Sequence, residues 1–279
     1  MACTLASVTE PPVSRVERED GRRLFGLDPA AYATGRPGYP VELFEILVER
    51  CGLAPGTPTL EIGAGAGQAT RELLARGADP LAAVEPDPRL AAYLVERFGA
   101  SVHVIHAPFE EAPLGRSSFV LATAATSWHW VDQERGLARL ADLLHPGGWW
   151  AAWWNVFHDP AGEPDALFHA LDRILPIPTC ATGNPQSTRA EAFLLDRDAR
   201  SRDLKANGFD DVEVAELRWV LALDPQRASA LFGTFSPVLA LSPDERERVL
   251  GEIERVIVDR FDGLFERRCV TILYTARRA

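Results

Sequence analysis

The stretch Leu60-Glu61-Ile62-Gly63-Ala64-Gly65-Ala66-Gly67-Gln68 sets three glycines at alternate positions between a strand-like run and a helix-like run. Glycine lets the backbone turn tightly and lets a ligand approach it closely, and the N-terminus of the next helix offers free N–H groups. Eighteen residues past Gly67, a second apolar run ends in Glu85, a carboxylate placed to grip the two hydroxyls of a ribose. Together these residues point to a nucleoside ligand. Charge then narrows the choice. The dinucleotide fingerprint needs a glycine at position 68, where Gln68 stands, and Glu61 beside the loop would repel a pyrophosphate while attracting an ammonium or sulfonium. S-adenosylmethionine is adenosine with such a cationic tail, and it is the expected cofactor. The bland alternatives stay open: a tight turn for the glycines and a helix-capping carboxylate for Glu61.

The elements that must position these residues alternate along the chain. Helical spacing follows Pro40 from Val41 to Cys51, and Thr59 to Ile62 reads as a short buried strand. A helix is predicted over Gln68 to Arg76 and a second strand over Leu81 to Val84. Asp87 and Pro88 then cap and open a helix to Phe98. Ser101 to Ile105 and Ser118 to Ala124 have strand length. A helix from Gln133 to Leu144 ends at His145-Pro146-Gly147-Gly148, and Trp149 to Asn155 is the fifth strand. Strands separated by single helices imply parallel βαβ units, and so a doubly wound, Rossmann-like α/β sheet.

Alternation along the fifth strand sends Trp149 and Trp153 to one face and Trp150 and Trp154 to the other. Most of these rings are expected in the core, with one near the strand end free to stack on a planar acceptor. After Phe157 the pattern breaks: residues 158–200 hold five prolines and one amphipathic helix near Asp165 to Leu175, which reads as an inserted cap. Val212 to Leu223 and Cys269 to Thr275 resume the sheet, with a helix begun by the capping-box pattern Ser242-Pro243-Asp244-Glu245 between them. The expected organisation is a loose arm over 1–20, a lid and helix over 21–50, a cofactor-binding core over 51–157, the cap over 158–200, and C-terminal strands and helices over 201–279.

Composition excludes whole classes of function. The 279 residues carry 29 basic and 40 acidic side chains, a formal charge of −11 that disfavours a nucleic-acid partner. Cys3, Cys51, Cys180 and Cys269 show no Cys-x-x-Cys spacing, and no 18 uncharged apolar residues follow one another. A cytoplasmic protein, monomer or homodimer, without membrane contact is expected. His158, Asp159 and His169 fit no standard metal spacing, so no metal is expected.

At the glycine loop the chain resembles the class I S-adenosylmethionine-dependent methyltransferases, and within them the bacterial small-molecule enzymes related to trans-aconitate methyltransferase. The resemblance runs over residues 25–279 and is carried further by Tyr32-Ala33-Thr34-Gly35-Arg36-Pro37-Gly38-Tyr39-Pro40, Val84-Glu85-Pro86-Asp87 and Pro108-Phe109-Glu110. Ser127-Trp128-His129-Trp130, Leu144-His145-Pro146-Gly147-Gly148 and Ile272-Leu273-Tyr274-Thr275-Ala276-Arg277-Arg278 complete it. It implies a seven-stranded, mostly parallel sheet whose last strand is antiparallel, with the cofactor across the ends of strands one, two and four.

By position, the resemblance implies that Glu61, Gly63, Ala64, Gly65 and Gly67 lie on the methionine side and that Glu85 takes the ribose. Pro86, Pro108 and Phe109 would flank adenine, with Glu110, Thr123 and Ala124 nearby, and Tyr32 and Arg36 would close over the cofactor tail. Pro108 stands where many relatives have Asp or Ser. It has no N–H, so recognition of the adenine amino group falls to Glu110 or a backbone carbonyl.

The expected activity is methyl transfer to a small-molecule acceptor, such as a planar metabolite or natural-product intermediate, by in-line displacement, with His129 and Tyr32 as candidate catalytic groups. His129 reads equally as a ring filling a structural slot. The 158–200 insertion and the 224–240 region, with Phe232, Thr234 and Phe235, are expected to form the acceptor pocket. The rival readings are a cyclisation or ring closure assisted by the same cofactor, and a cofactor-binding protein without chemistry.

Overall fold

A computed structural model describes residues 25–162, 164–175 and 193–279. The expected arm over 1–20, and the segment 176–192 of the expected cap, lie outside the described residues. Seven strands form one sheet in the order β3-β2-β1-β4-β5-β7-β6. They are β1 Thr57–Ile62, β2 Ala78–Val84, β3 His103–Ile105, β4 Phe119–Ala125, β5 Leu144–Val156, β6 Phe209–Leu223 and β7 Phe265–Arg278. The pairs from β3 through β5 are parallel, and β7 is antiparallel to both β5 and β6. This is a Rossmann-like α/β sheet. The chain winds outward from β1 to β3 and returns to β4 on the other side of β1, so the carboxyl ends of β1 and β4 open a crevice at the point where strand order reverses.

The tryptophans of β5 divide the core as strand alternation requires. Trp149 and Trp153 pack with Leu43, Phe44, Leu47, Leu73 and Leu94 on one face. Trp150 and Trp154 pack with Leu137, Leu140 and Leu204 on the other. Trp153 is fully buried and meets Tyr39 and Phe44 edge to face at 5.7 and 6.0 Å, an arrangement that suits the ring quadrupoles. Residues 265–269 of β7 and 219–223 of β6 pair beyond the last β5 partner, Val270. On that projecting ribbon sits a separate apolar cluster, in which Phe157, Leu167 and Leu171 meet Phe232, Phe235, Val249 and Ile257.

The connection from β3 to β4 over 106–118 is turns and irregular chain, because Pro108 and Pro113 remove helix donors and Gly115 adds freedom. One local expectation is corrected. The fifth strand begins earlier than Trp149. The helix Gln133–Leu143 stops at Leu143, Leu144 already pairs with Phe119, and the ladder shifts register before Leu121, so the His-Pro-Gly-Gly run bulges within the β4–β5 ladder.

Candidate functional site

The crevice at the strand ends is an open cavity with about 1440 Å³ of empty space, measured out to its mouth. Its floor is the glycine loop. Gly63, Gly65 and Gly67 have φ of +71°, +59° and +84°, the left-handed region that side chains avoid. The Gly63 N–H donates to the Val84 carbonyl at 2.8 Å, which draws the loop onto the end of β2. A Cβ on Gly63 would stand 2.5 Å from the Cβ of Ser127, whereas one on Gly65 would meet nothing. Gly63→Ala is therefore expected to cost about 1–3 kcal/mol, from backbone strain plus the clash, and Gly65→Ala less. Thermal melts of the two variants check the order, and equal losses would mean that Ser127 yields freely.

Glu85 reaches the same floor from the end of β2. Its carboxylate accepts the Gly65 N–H at 2.8 Å and the Asp87 N–H at 2.9 Å, and the residue is 4% exposed. The carboxylate thus ties the loop to the β2 turn as well as facing the cavity. Spare donors stand around it. Gln68 Nε2 and Arg36 Nε are buried without a hydrogen-bond partner among the described residues, and both residues line the cavity. Arg36 lies over the rings of Phe235, Tyr32 and Phe157 at 4.8, 5.6 and 5.9 Å, and its Nη2 reaches the Thr234 carbonyl at 3.4 Å. A half-buried guanidinium set among rings, together with spare N–H groups, suits a ligand with an anionic end.

The cavity brings together Tyr32, Arg36, Gly63, Ala64, Gly65, Glu85, Pro86, Pro108, Phe109, Glu110 and His129. It leaves out four expected residues. Gly67 points its α-carbon at the Phe98 ring and serves as the N-cap of the helix Gln68–Ala75. Thr123 and Ala124 are buried in β4; the strand presents Ala125, Thr126 and Ser127 to the cavity instead, because the ligand-facing end of a parallel strand is its last residues. Glu61 is fully buried and absent from the cavity wall. One of its oxygens accepts the Thr70 hydroxyl at 2.7 Å and the other has no partner among the described residues. Burial raises its pKa to about 8, against the lowering Thr70 bond and with added repulsion from Glu85. At neutral pH it is a neutral acid, so the expected repulsion of a pyrophosphate does not operate.

Glu110 lines the cavity and accepts the Asp132 N–H on its Oε1 at 3.0 Å. The acceptor side differs from expectation. Of 224–240 only Ser236 lines the cavity; Phe232 and Phe235 are core, Thr234 is 4% exposed, and no described residue of 158–200 reaches the cavity. The walls are Phe25, Tyr39, Trp130, Trp154, Asn155 and Phe157. Phe25 meets Tyr32 at 5.6 Å and Trp130 at 6.1 Å, forming an aromatic rim. Asn155 sits at the end of β5. Its amide donates to the Gly38 carbonyl at 3.0 Å and its oxygen accepts the Thr271 hydroxyl at 2.6 Å. The Tyr39 hydroxyl lies 3.2 Å from that of Thr126, so the N-terminal segment is pinned to β4 and β5 next to the cavity. Gln68, Thr126 and Asn155 went unrecognised in the sequence, although each sits at a strand end or helix start.

Comparison with known proteins adds identity to this geometry. Residues 60–152, from β1 through the first half of β5, match the family described as a methyltransferase domain. An uncharacterized methyltransferase of Mycobacterium bovis is 28% identical over 240 residues, 86% of this chain and 88% of the relative. One of Schizosaccharomyces pombe is 24% identical over 235 residues, 84% and 87% of the two chains. Among solved structures, a protein of Anaeromyxobacter dehalogenans provisionally assigned as a type II methyltransferase aligns with TM-score 0.60 at 24% identity, over 87% of this chain and 97% of that one. Haemonchus contortus phosphoethanolamine N-methyltransferase 2, solved with phosphomonomethylethanolamine and S-adenosylhomocysteine, aligns with TM-score 0.56 at 15% identity. The alignment covers 95% of this chain but spans only 58% of the length of that one.

Proposed function

We propose that the chain is an S-adenosylmethionine-dependent methyltransferase that methylates a small molecule held beneath the aromatic rim. The observation that carries this reading is the cavity itself. At the point where strand order reverses, one crevice joins the glycine loop and the Glu85 carboxylate to a separate aromatic wall of Phe25, Tyr32 and Trp130, so a nucleoside face and an acceptor face lie in the same cavity.

Glu85 would hold the ribose hydroxyls, Gln68 Nε2 the methionine end, and Arg36 its carboxylate. Phe109 and Pro86 would flank the adenine, with Glu110 beside it. Bound there, the cofactor supplies a methyl group on a cationic sulfur that leaves as a neutral thioether. The chain's own part is to exclude water and to hold the acceptor in line. Such orientation is worth several kcal/mol and needs no acid on the leaving side. Phe25, Tyr32 and Trp130 supply flat apolar surface for a planar acceptor, and the segment 25–40 closes the cavity as a lid. The charge of −11 suits a cytosolic monomer or homodimer that does not bind nucleic acid.

A thermal-shift titration tests the reading. A ligand that binds only the folded state stabilises it by about 2.7 kcal/mol at a hundredfold excess over Kd. S-adenosylhomocysteine and S-adenosylmethionine are expected to raise Tm by several degrees and NAD to leave it unchanged. Equal stabilisation by NAD, or none by either adenosyl compound at millimolar concentration, defeats it.

A further inference from the structure

Trp154 and His129 form a pair that fixes what the histidine can do. The Trp154 indole N–H donates to His129 Nδ1 at 3.0 Å, and both residues line the cavity. Indole nitrogen is a donor only, so Nδ1 must present its lone pair to it. A neutral imidazole whose Nδ1 accepts carries its proton on Nε2. An imidazolium would set Nδ1–H against the indole N–H and lose the bond. The side chains are poorly placed to rearrange. Trp154 is 2% exposed and packs edge to face against Phe193 and Tyr274 at 6.1 and 6.2 Å, and the His129 ring lies 5.0 Å from that of Trp130.

We propose that Trp154 is a positioning residue that holds His129 as a neutral Nε2–H donor, so that His129 orients a lone pair of the acceptor and does not take its proton. The inference rests on the methyltransferase reading and narrows its substrate class. The atom that receives the methyl group must keep a further lone pair for the displacement, as an ionised oxygen or a thiolate does, or must lose its proton to a group other than His129.

The test is the imidazole ¹⁵N–¹H correlation spectrum of the full chain saturated with S-adenosylhomocysteine at neutral pH. His129→Gln identifies the His129 signals among the six histidines. The expected pattern is a single neutral tautomer protonated at Nε2. A wild-type His129 protonated at Nδ1, or at both nitrogens, overturns the proposal. Trp154→Phe, which keeps a ring but removes the donor, is expected to convert the pattern to a mixture of tautomers. An unchanged Nε2–H population in a variant that still melts cooperatively overturns the role of Trp154. If that variant fails to fold, the wild-type spectrum alone decides. Failure of the wild type to bind S-adenosylhomocysteine would instead defeat the functional reading, and the tautomer of the free protein would still be readable.

Discussion

Glu85→Ala is expected to weaken S-adenosylhomocysteine binding by about 10²- to 10⁴-fold. The size follows from the bonds lost. A carboxylate that accepts both ribose hydroxyls makes two charge-assisted hydrogen bonds of about 1.5–3 kcal/mol each, and 1.4 kcal/mol is tenfold in Kd. Because Glu85 also accepts the Gly65 and Asp87 N–H groups, the substitution loosens the loop and lowers Tm as well. Glu85→Gln separates the two effects. Its amide oxygen can still accept one of those N–H groups while the charge is lost, so it is expected to keep more stability than Glu85→Ala and to fall between it and wild type in affinity. Calorimetric titration at a temperature where each variant is folded gives Kd free of the stability difference. An unchanged Kd in a folded Glu85→Ala protein would place the ribose elsewhere.

The residues that make this prediction possible were visible in the sequence because their roles are local. A glycine run between a strand and a helix, and an acidic residue closing the next strand, carry their geometry in their spacing. The two faces of β5 were equally legible, since strand alternation needs no tertiary information. The reversed direction of β7 was not carried by periodicity and entered only through resemblance, because a strand's pattern reports its faces and not its direction.

What sequence missed depends on which groups lose water. Glu61 was read as an anion because nothing local says that β1 lies at the centre of the sheet, where burial neutralises a carboxyl. Thr123 and Ala124 lie two residues and one residue short of Ala125, where β4 first reaches the crevice. The acceptor wall was assigned to 158–200 and 224–240 because loops beyond strand ends carry specificity, yet Phe232 and Phe235 fill the cluster on the β6–β7 ribbon. Phe25, Trp130 and Asn155 line the cavity instead, brought together from three separate parts of the chain.

Glu61 yields the largest expected effect on stability. Its pKa is about 8 in the folded chain against an ordinary 4.5, so between those values the folded state binds more protons than the unfolded state does. Stability therefore falls as pH rises through the window: the contribution is fully present below about 4.5 and is lost as pH passes 8. Each pH unit inside the window is worth up to about 1.4 kcal/mol, and the group is fully buried, so solvent does not screen it away. The sum between pH 5 and pH 8 is a few kcal/mol, which for a chain of this size is a fall in Tm of roughly 5–10 °C. Other carboxyls do not mimic it. Glu72, hydrogen-bonded to Arg76, and Glu245, hydrogen-bonded to Ser242, are held below their ordinary range, so their slopes lie under pH 4.5 and run the other way. Glu61→Gln keeps an oxygen for the Thr70 hydroxyl and cannot ionise. Melts of wild type and variant across pH 5–8.5 are expected to show the variant gaining on the wild type at every step up in pH. A difference between the two that is flat with pH would mean that Glu61 ionises in the folded core, with its charge balanced by a group that these contacts do not include.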